Sequence, residues 1–320
     1  MSLPRAALLG CMLSLSVSLT VPAPARAEVT LLIPSRTFID VPAEKKGTEP
    51  QAAKAPAAKE AKNTADSGKE APAEAAGEEN KAQAAAQPAP PPLNAEVDML
   101  ISLMRPREHA AQPMDMPQLF AVLRHDAGTR FVNGTPQPER RDLLGDMEES
   151  LYLDTKAWGA NVAIDQPGLY QFITETRPRL NAERQCFEQQ YVKSILPVCG
   201  VEEGWERPAG LRLEILPLTR PFGLTAGSSF TGKALGPDGP LTNARVYMDR
   251  IRTEKKTGPL PWQHDLEART FTPGAPGWWC CVVEVPGQPL KGPDGQPTPL
   301  ILGSVLWLYV DAAEQPDKNR

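Results

Sequence analysis

The chain has 320 residues, with 34 Lys and Arg against 39 Asp and Glu, for a formal net charge of −5. That length allows two domains, and that charge gives no basis for nucleic-acid binding. Only three histidines are present, against 35 prolines, so the chain is poor in general-base candidates and rich in turn signals.

The first 27 residues have the layout of a secretory signal: Arg5, an apolar run from Ala6 to Thr20, and Ala25-Arg26-Ala27 as a cleavage site. The mature protein is expected to begin at Glu28 and to be periplasmic. Leu8-Leu9-Gly10-Cys11 loosely fits a lipoprotein site, but cleavage there leaves almost no apolar region. Beyond the signal no run is long and apolar enough to span a bilayer, so the processed protein is not expected to be membrane-spanning.

Residues 28–40 contain VTLLI, the first strand of an amino-terminal β-module. Between Val41 and Leu93 there is no Val, Ile, Leu, Met, Phe, Tyr or Trp. Residues 41–92 therefore read as a disordered Ala/Glu/Lys/Pro-rich insert, which cannot bury enough apolar surface to offset its ordering entropy. From Leu93 short strands dominate: LFAVLRH, WGANVAI, LYQFITET, FEQQYVKSIL, SFTGKAL, ARVYMD, WWCCVVEV and LILGSVLWLYV. Turn signals such as Gly236-Pro237-Asp238-Gly239 punctuate them. The pattern predicts an all-β protein of two β-sandwich modules, residues 93–217 and 218–312, with a polar tail over 313–320. A helix is expected near Glu139 to Ser150 (RRDLLGDMEES). In Gly204 to Phe230, Leu211, Leu213 and Ile215 alternate with Arg212 and Glu214. That alternation predicts a half-buried strand, and Pro217 and Pro221 mark the corner between modules.

Removing the signal leaves Cys186, Cys199, Cys280 and Cys281, which allow three pairings in an oxidising compartment. Cys186–Cys199 is the preferred disulfide, because the two flank one strand region. Cys280 and Cys281 are adjacent on a strand and point to opposite faces, one thiol inward and one outward. Trp158, Trp205, Trp278 and Trp279 are expected to pack between sheets rather than form a carbohydrate platform. Gly227 to Lys233 imitates the start of a phosphate-binding loop. Ala234 stands where Ser or Thr is needed, and no helix pattern follows, so no nucleotide is expected. No nucleophile elbow, zinc-protease helix motif or triad is present, and the protein is expected not to be an enzyme.

LLIPS (Leu31 to Ser35), PMDMPQLF (Pro113 to Phe120), GLYQF, FEQQYVKSILP, GWERPAGLRLEILPLTRPFGLTAG, GWW and LGSVLWLYV occur in this order. Together they resemble a family of exported bacterial proteins labelled a domain of unknown function, described as periplasmic components accompanying nickel or cobalt uptake transporters. The resemblance implies an immunoglobulin-like carboxy-terminal half, a nickel or cobalt ion as cofactor, and a membrane metal transporter as partner. It also implies histidines just before LIPS and ahead of MDM. Here those positions read Ala27-Glu28-Val29-Thr30 and Arg105-Pro106-Arg107-Glu108. Arg105 stands where a histidine would, and a guanidinium does not ligate a cation. The remaining candidate ligands are Glu28, Glu108, His109, Met114, Asp115 and Met116, which mix imidazole, carboxylate and thioether donors. The methionines are also plausible apolar gap-fillers. Only His125 and His264 remain to complete such a site. Two functions follow: a metal-binding or accessory component of a transition-metal uptake system, or an exported β-sandwich interaction module that has lost metal binding.

Overall fold

The computed structural model describes residues 28–40, 93–242, 244–251 and 268–313. The expected signal, the expected 41–92 insert, His264 and most of the expected polar tail lie outside the described residues.

The fold is all-β and built of packed sheets. A central sheet has the order Arg245–Arg250, Gly277–Lys291, Pro297–Asp311, Cys186–Val198, Gly168–Glu175, Leu119–His125 and Glu139–Asp142. Its neighbours pair antiparallel except for Cys186–Val198 with Pro297–Asp311, which run parallel from Phe187↔Leu300 to Ser194↔Trp307. This parallel seam joins the two halves of the chain. One face is covered by a sheet containing Val29–Pro34, Ala95–Arg105, Thr155–Ile164 and Glu148–Tyr152. The other face is covered by a smaller sheet of Glu214–Pro217, Phe230–Gly236, Gly239–Pro240 and Ala268–Phe271.

Two apolar cores therefore lie on opposite sides of one sheet. Cys280, Val282, Val305 and Trp307 enter the first core, while Cys281, Val283, Leu306 and Leu308 enter the second. A strand covered on both faces has no polar side to alternate with, which explains the near-continuous apolar runs WWCCVV and VLWLYV. It also corrects one expectation. Cys280 and Cys281 do point to opposite faces, but both are buried, because each face has its own core.

The Cys186–Cys199 pairing is corrected as well. Both are free thiols at opposite ends of the Cys186–Val198 strand. At about 3.3 Å per residue the strand holds them roughly 40 Å apart, whereas a disulfide needs Cα atoms within about 7 Å. Flanking one strand is the arrangement that forbids the bond. Titration of the unfolded protein from Glu28 onward with a thiol reagent should count four thiols. In the native state the half-buried Cys199 should react first. Burial raises the Cys280 and Cys281 thiols far above their ordinary range and should keep them silent. A count of two after unfolding would restore a disulfide.

The expected helix near Glu139 is absent. Glu139–Asp142 is an exposed edge strand paired with Leu119–His125. Asp142 then accepts the Leu144 amide at 2.9 Å and starts a single 3-10 turn over Leu144–Asp146. The phosphate-loop mimic is the strand Phe230–Gly236, with Phe230, Gly232 and Ala234 inward, as its alternation indicated.

Candidate functional site

The amino-terminal strand is the edge strand of the covering sheet and packs on the central sheet. Gln190, inside the Cys186–Val198 strand, grips it: its carbonyl accepts the Thr30 amide at 2.7 Å and its amide donates to the Glu28 carbonyl at 2.7 Å. The Trp307 indole donates to the Thr30 carbonyl at 2.9 Å. The strand pairs with Ala95–Arg105 from Val29↔Met104 to Pro34↔Met99, so Glu28 falls beside Arg105.

Glu28 is only 5 % exposed. Its Oε1 accepts from Arg105 Nε at 3.1 Å and Nη2 at 2.7 Å, and its Oε2 accepts from Arg179. Two residues distant in sequence, at the positions where the family resemblance implies metal ligands, are thus an ion pair. The network continues outward. Arg105 reaches Glu183 at 2.9 Å, and Arg179 lies 3.7 Å from Glu188. Glu188 pairs with Arg184 at 2.6 Å, and Arg184 with Glu284 at 2.9 Å. Burial works against the Arg184 charge, but Glu284 and Glu188 outweigh it and raise its pKa. Alternating charges inside a low-dielectric site hold one another ionised, and removing one partner strands the next.

The other expected ligands do not join Glu28 as a metal site. Glu108 and His109 lie in the turn after Arg105, where the Glu108 amide donates to the Arg105 carbonyl at 3.1 Å. His109 is left-handed, with φ of 48°, and its Nδ1 is buried without a hydrogen-bond partner. Met114 packs in the first core, and its carbonyl accepts the Trp158 indole N–H at 3.1 Å. Asp115 is exposed, and the Met116 carbonyl accepts from Arg177 at 3.3 Å. Met114 and Asp115 do line a small cavity, about 30 Å³, together with Thr30, Glu188, Arg177 and Arg179. Two guanidiniums in that wall repel a cation. Among the described residues no three His, Cys, Asp or Glu side chains converge as a metal-ligating group. A nickel or cobalt site needs several convergent donors, and the described residues do not bring them together.

Sequence reasoning missed the Glu28 network because Arg179 carries no motif, and FEQQYVKSILP, which holds Glu188 and Gln190, reads only as a strand and a family likeness. The available signal was Glu188-Gln189-Gln190 inside an otherwise apolar strand: three consecutive polar residues on a central strand need buried partners.

It also read Gly204 to Phe230 as a mere junction. Residues 204–210 instead cap a buried polar cluster on the second face of the central sheet. Lys193 Nζ lies 2.5 Å from Glu214, with side chains 2 % and 1 % exposed. Glu214 also accepts the amides of Ala209 at 2.8 Å and Gly210 at 3.2 Å. Gln171 donates to the Gly204 carbonyl at 2.8 Å. Gly204 has φ of 102°, and a Cβ there would lie 2.7 Å from the His125 ring, so only glycine closes this cap. The strand itself starts later than expected, at Glu214. Glu214, read as a solvent-facing position, is buried because Lys193 neutralises it.

A sequence model of a protein family, "Domain of unknown function (DUF4198)", matches residues 82–286. Comparison with curated proteins finds no match. Among the described residues no helix is long and apolar enough to cross a membrane.

Proposed function

We propose, for a chain that belongs to the DUF4198 family, a non-enzymatic role as an exported accessory module that engages a membrane metal-uptake partner without itself holding the ion. The observation that carries the second half is the Glu28 carboxylate. Both its oxygens accept guanidinium hydrogen bonds, from Arg105 and Arg179, so it has no charge to offer a cation. The resemblance to periplasmic companions of nickel and cobalt transporters supports the uptake context, and the secretory layout of residues 1–27 supports export. In this reading the Arg pair replaces a metal as the clamp on the amino-terminal strand.

Calorimetric titration of the mature protein with nickel, cobalt, copper and zinc is expected to show no binding tighter than millimolar. Micromolar binding that His109→Ala abolishes would return the capture reading. The partner is tested separately, by affinity purification of the tagged protein from detergent-solubilised envelopes. Recovery of a metal-transporter subunit is expected, and its absence sinks the accessory role.

A further inference from the structure

A second surface feature stands apart from both buried clusters. A groove of about 300 Å³ opens at one end of the central sheet, with Phe38, Phe222, Trp278 and Tyr309 among its walls and Asp40 and Asp311 beside them. Phe38 leaves 60 % of its surface in solvent. Trp278 and Tyr309 are cross-strand neighbours packed edge to face, centroids 5.3 Å apart at 67°. In that arrangement one ring gives its edge and keeps its own faces uncovered by the other. Trp278 is therefore only partly a core residue.

The groove wall already hosts one cation on an aromatic face. The Arg220 guanidinium lies 5.5 Å from the Phe222 ring centroid and pairs with Glu202 at 2.9 Å. Glu202 and Arg220 cancel. Asp40 and Asp311 have no salt bridge among the described residues, so the described groove residues carry an excess of two negative charges beside several electron-rich rings. Aromatic walls remove water, and their quadrupoles attract a cation, while nearby carboxylates add long-range attraction. The volume is at the low end of small-molecule sites, about 300 to 1,000 Å³, and too small for a multi-residue segment.

We propose that this groove binds a free small organic cation of the alkylammonium class, with Trp278 as its aromatic platform and Asp40 and Asp311 as its counter-charges. Positive charge with an apolar shell is the chemistry that uses rings and carboxylates together. A metal ion would keep its hydration shell and leave the rings unused, and a neutral ligand would donate hydrogen bonds to the carboxylates but gain no charge attraction from them or the ring faces.

The test titrates the full mature chain with choline, followed by tryptophan fluorescence and calorimetry, against its uncharged isostere 3,3-dimethylbutan-1-ol. Choline is expected to bind saturably and roughly tenfold tighter than the isostere. Trp278→Ala should weaken choline roughly tenfold, and the exposed-site variant Asp311→Asn a few-fold, with the Asp311→Asn effect shrinking in high salt. Four results overturn the proposal: no saturation with choline, equal binding of the isostere, choline curves unchanged in both variants, or tighter binding of a blocked Gly-Lys-Gly peptide. The last would assign the groove to a protein partner's lysine. Asp311→Asn keeps the test valid if Trp278→Ala fails to fold.

Discussion

Lys193→Met, with Glu214 left in place, is expected to destabilise the protein by about 3–5 kcal/mol, the cost of leaving a buried carboxylate without its cation. Lys193 lies between Tyr191 and Ile195 on the second face of the central sheet, among residues of the second core. Nothing there can hydrate Glu214 once the ammonium is gone. The amides of Ala209 and Gly210 remain as its donors, and they are too few to hold a desolvated charge. The double variant Lys193→Met with Glu214→Gln removes both charges and keeps an acceptor for those amides. It should recover more than half of the loss. Urea unfolding midpoints measure both, at constant m-value. A single-variant cost under about 1 kcal/mol would mean that water reaches the pair, because exposed pairs contribute only that much.

The second large effect is a pH dependence assigned to His125. The ring is completely buried under Gly204, and neither nitrogen has a hydrogen-bond partner. Burial, then the Arg207 charge, lowers its pKa from 6.5 to about 4; Glu206 and Asp126 oppose this, and Lys193 adds to it. The unfolded chain therefore takes up a proton below pH 6.5 that the folded chain refuses until about pH 4. Stability linked to His125 is fully present above pH 6.5 and is lost as pH falls toward 4, by about 3 kcal/mol in total. Unfolding free energies measured from pH 8 to pH 4 should fall less steeply for His125→Leu than for the parent chain. The two curves should run parallel above pH 6.5 and diverge below it. Curves that stay parallel down to pH 4 would show that His125 is protonated without cost, through water reaching the ring.

How much of this could be read in the amino-acid order depends on what each residue faces. LFAVLRH predicts a strand over 119–125, and Leu119–His125 is a strand. Phe230 to Ala234 alternates and folds as the alternation says. These elements declare themselves because one local pattern suffices. Glu139–Asp142 does not: all four residues are exposed, so neither period two nor period 3.6 marks it, and the neighbouring leucines imitate a helix. Cys280-Cys281 and Glu214 mislead for a different reason. Their environment is set by layers from distant parts of the chain, and no local window reveals that a second sheet covers the outer face. The candidate site divides the same way. Glu28 and Arg105 were singled out by position, and the structure does bring them together. Their role as mutual partners rather than ligands depends on Arg179, 151 residues from Glu28.

The single sheet shared by two cores also constrains the order in which the chain can acquire structure. Pro297–Asp311 is the last described strand to be synthesised, and it contributes Val305 and Trp307 to one core and Leu306 and Leu308 to the other. The first strand depends on it too, since Trp307 binds Thr30 across 277 residues of sequence. A chain emerging amino-terminus first thus has no self-contained half to close. Its earliest strands wait, with apolar surface open, until the final one arrives. Such non-local pairing is slow and aggregation-exposed. The topology itself therefore defers closure of the two cores until both the first and the last described strands are present.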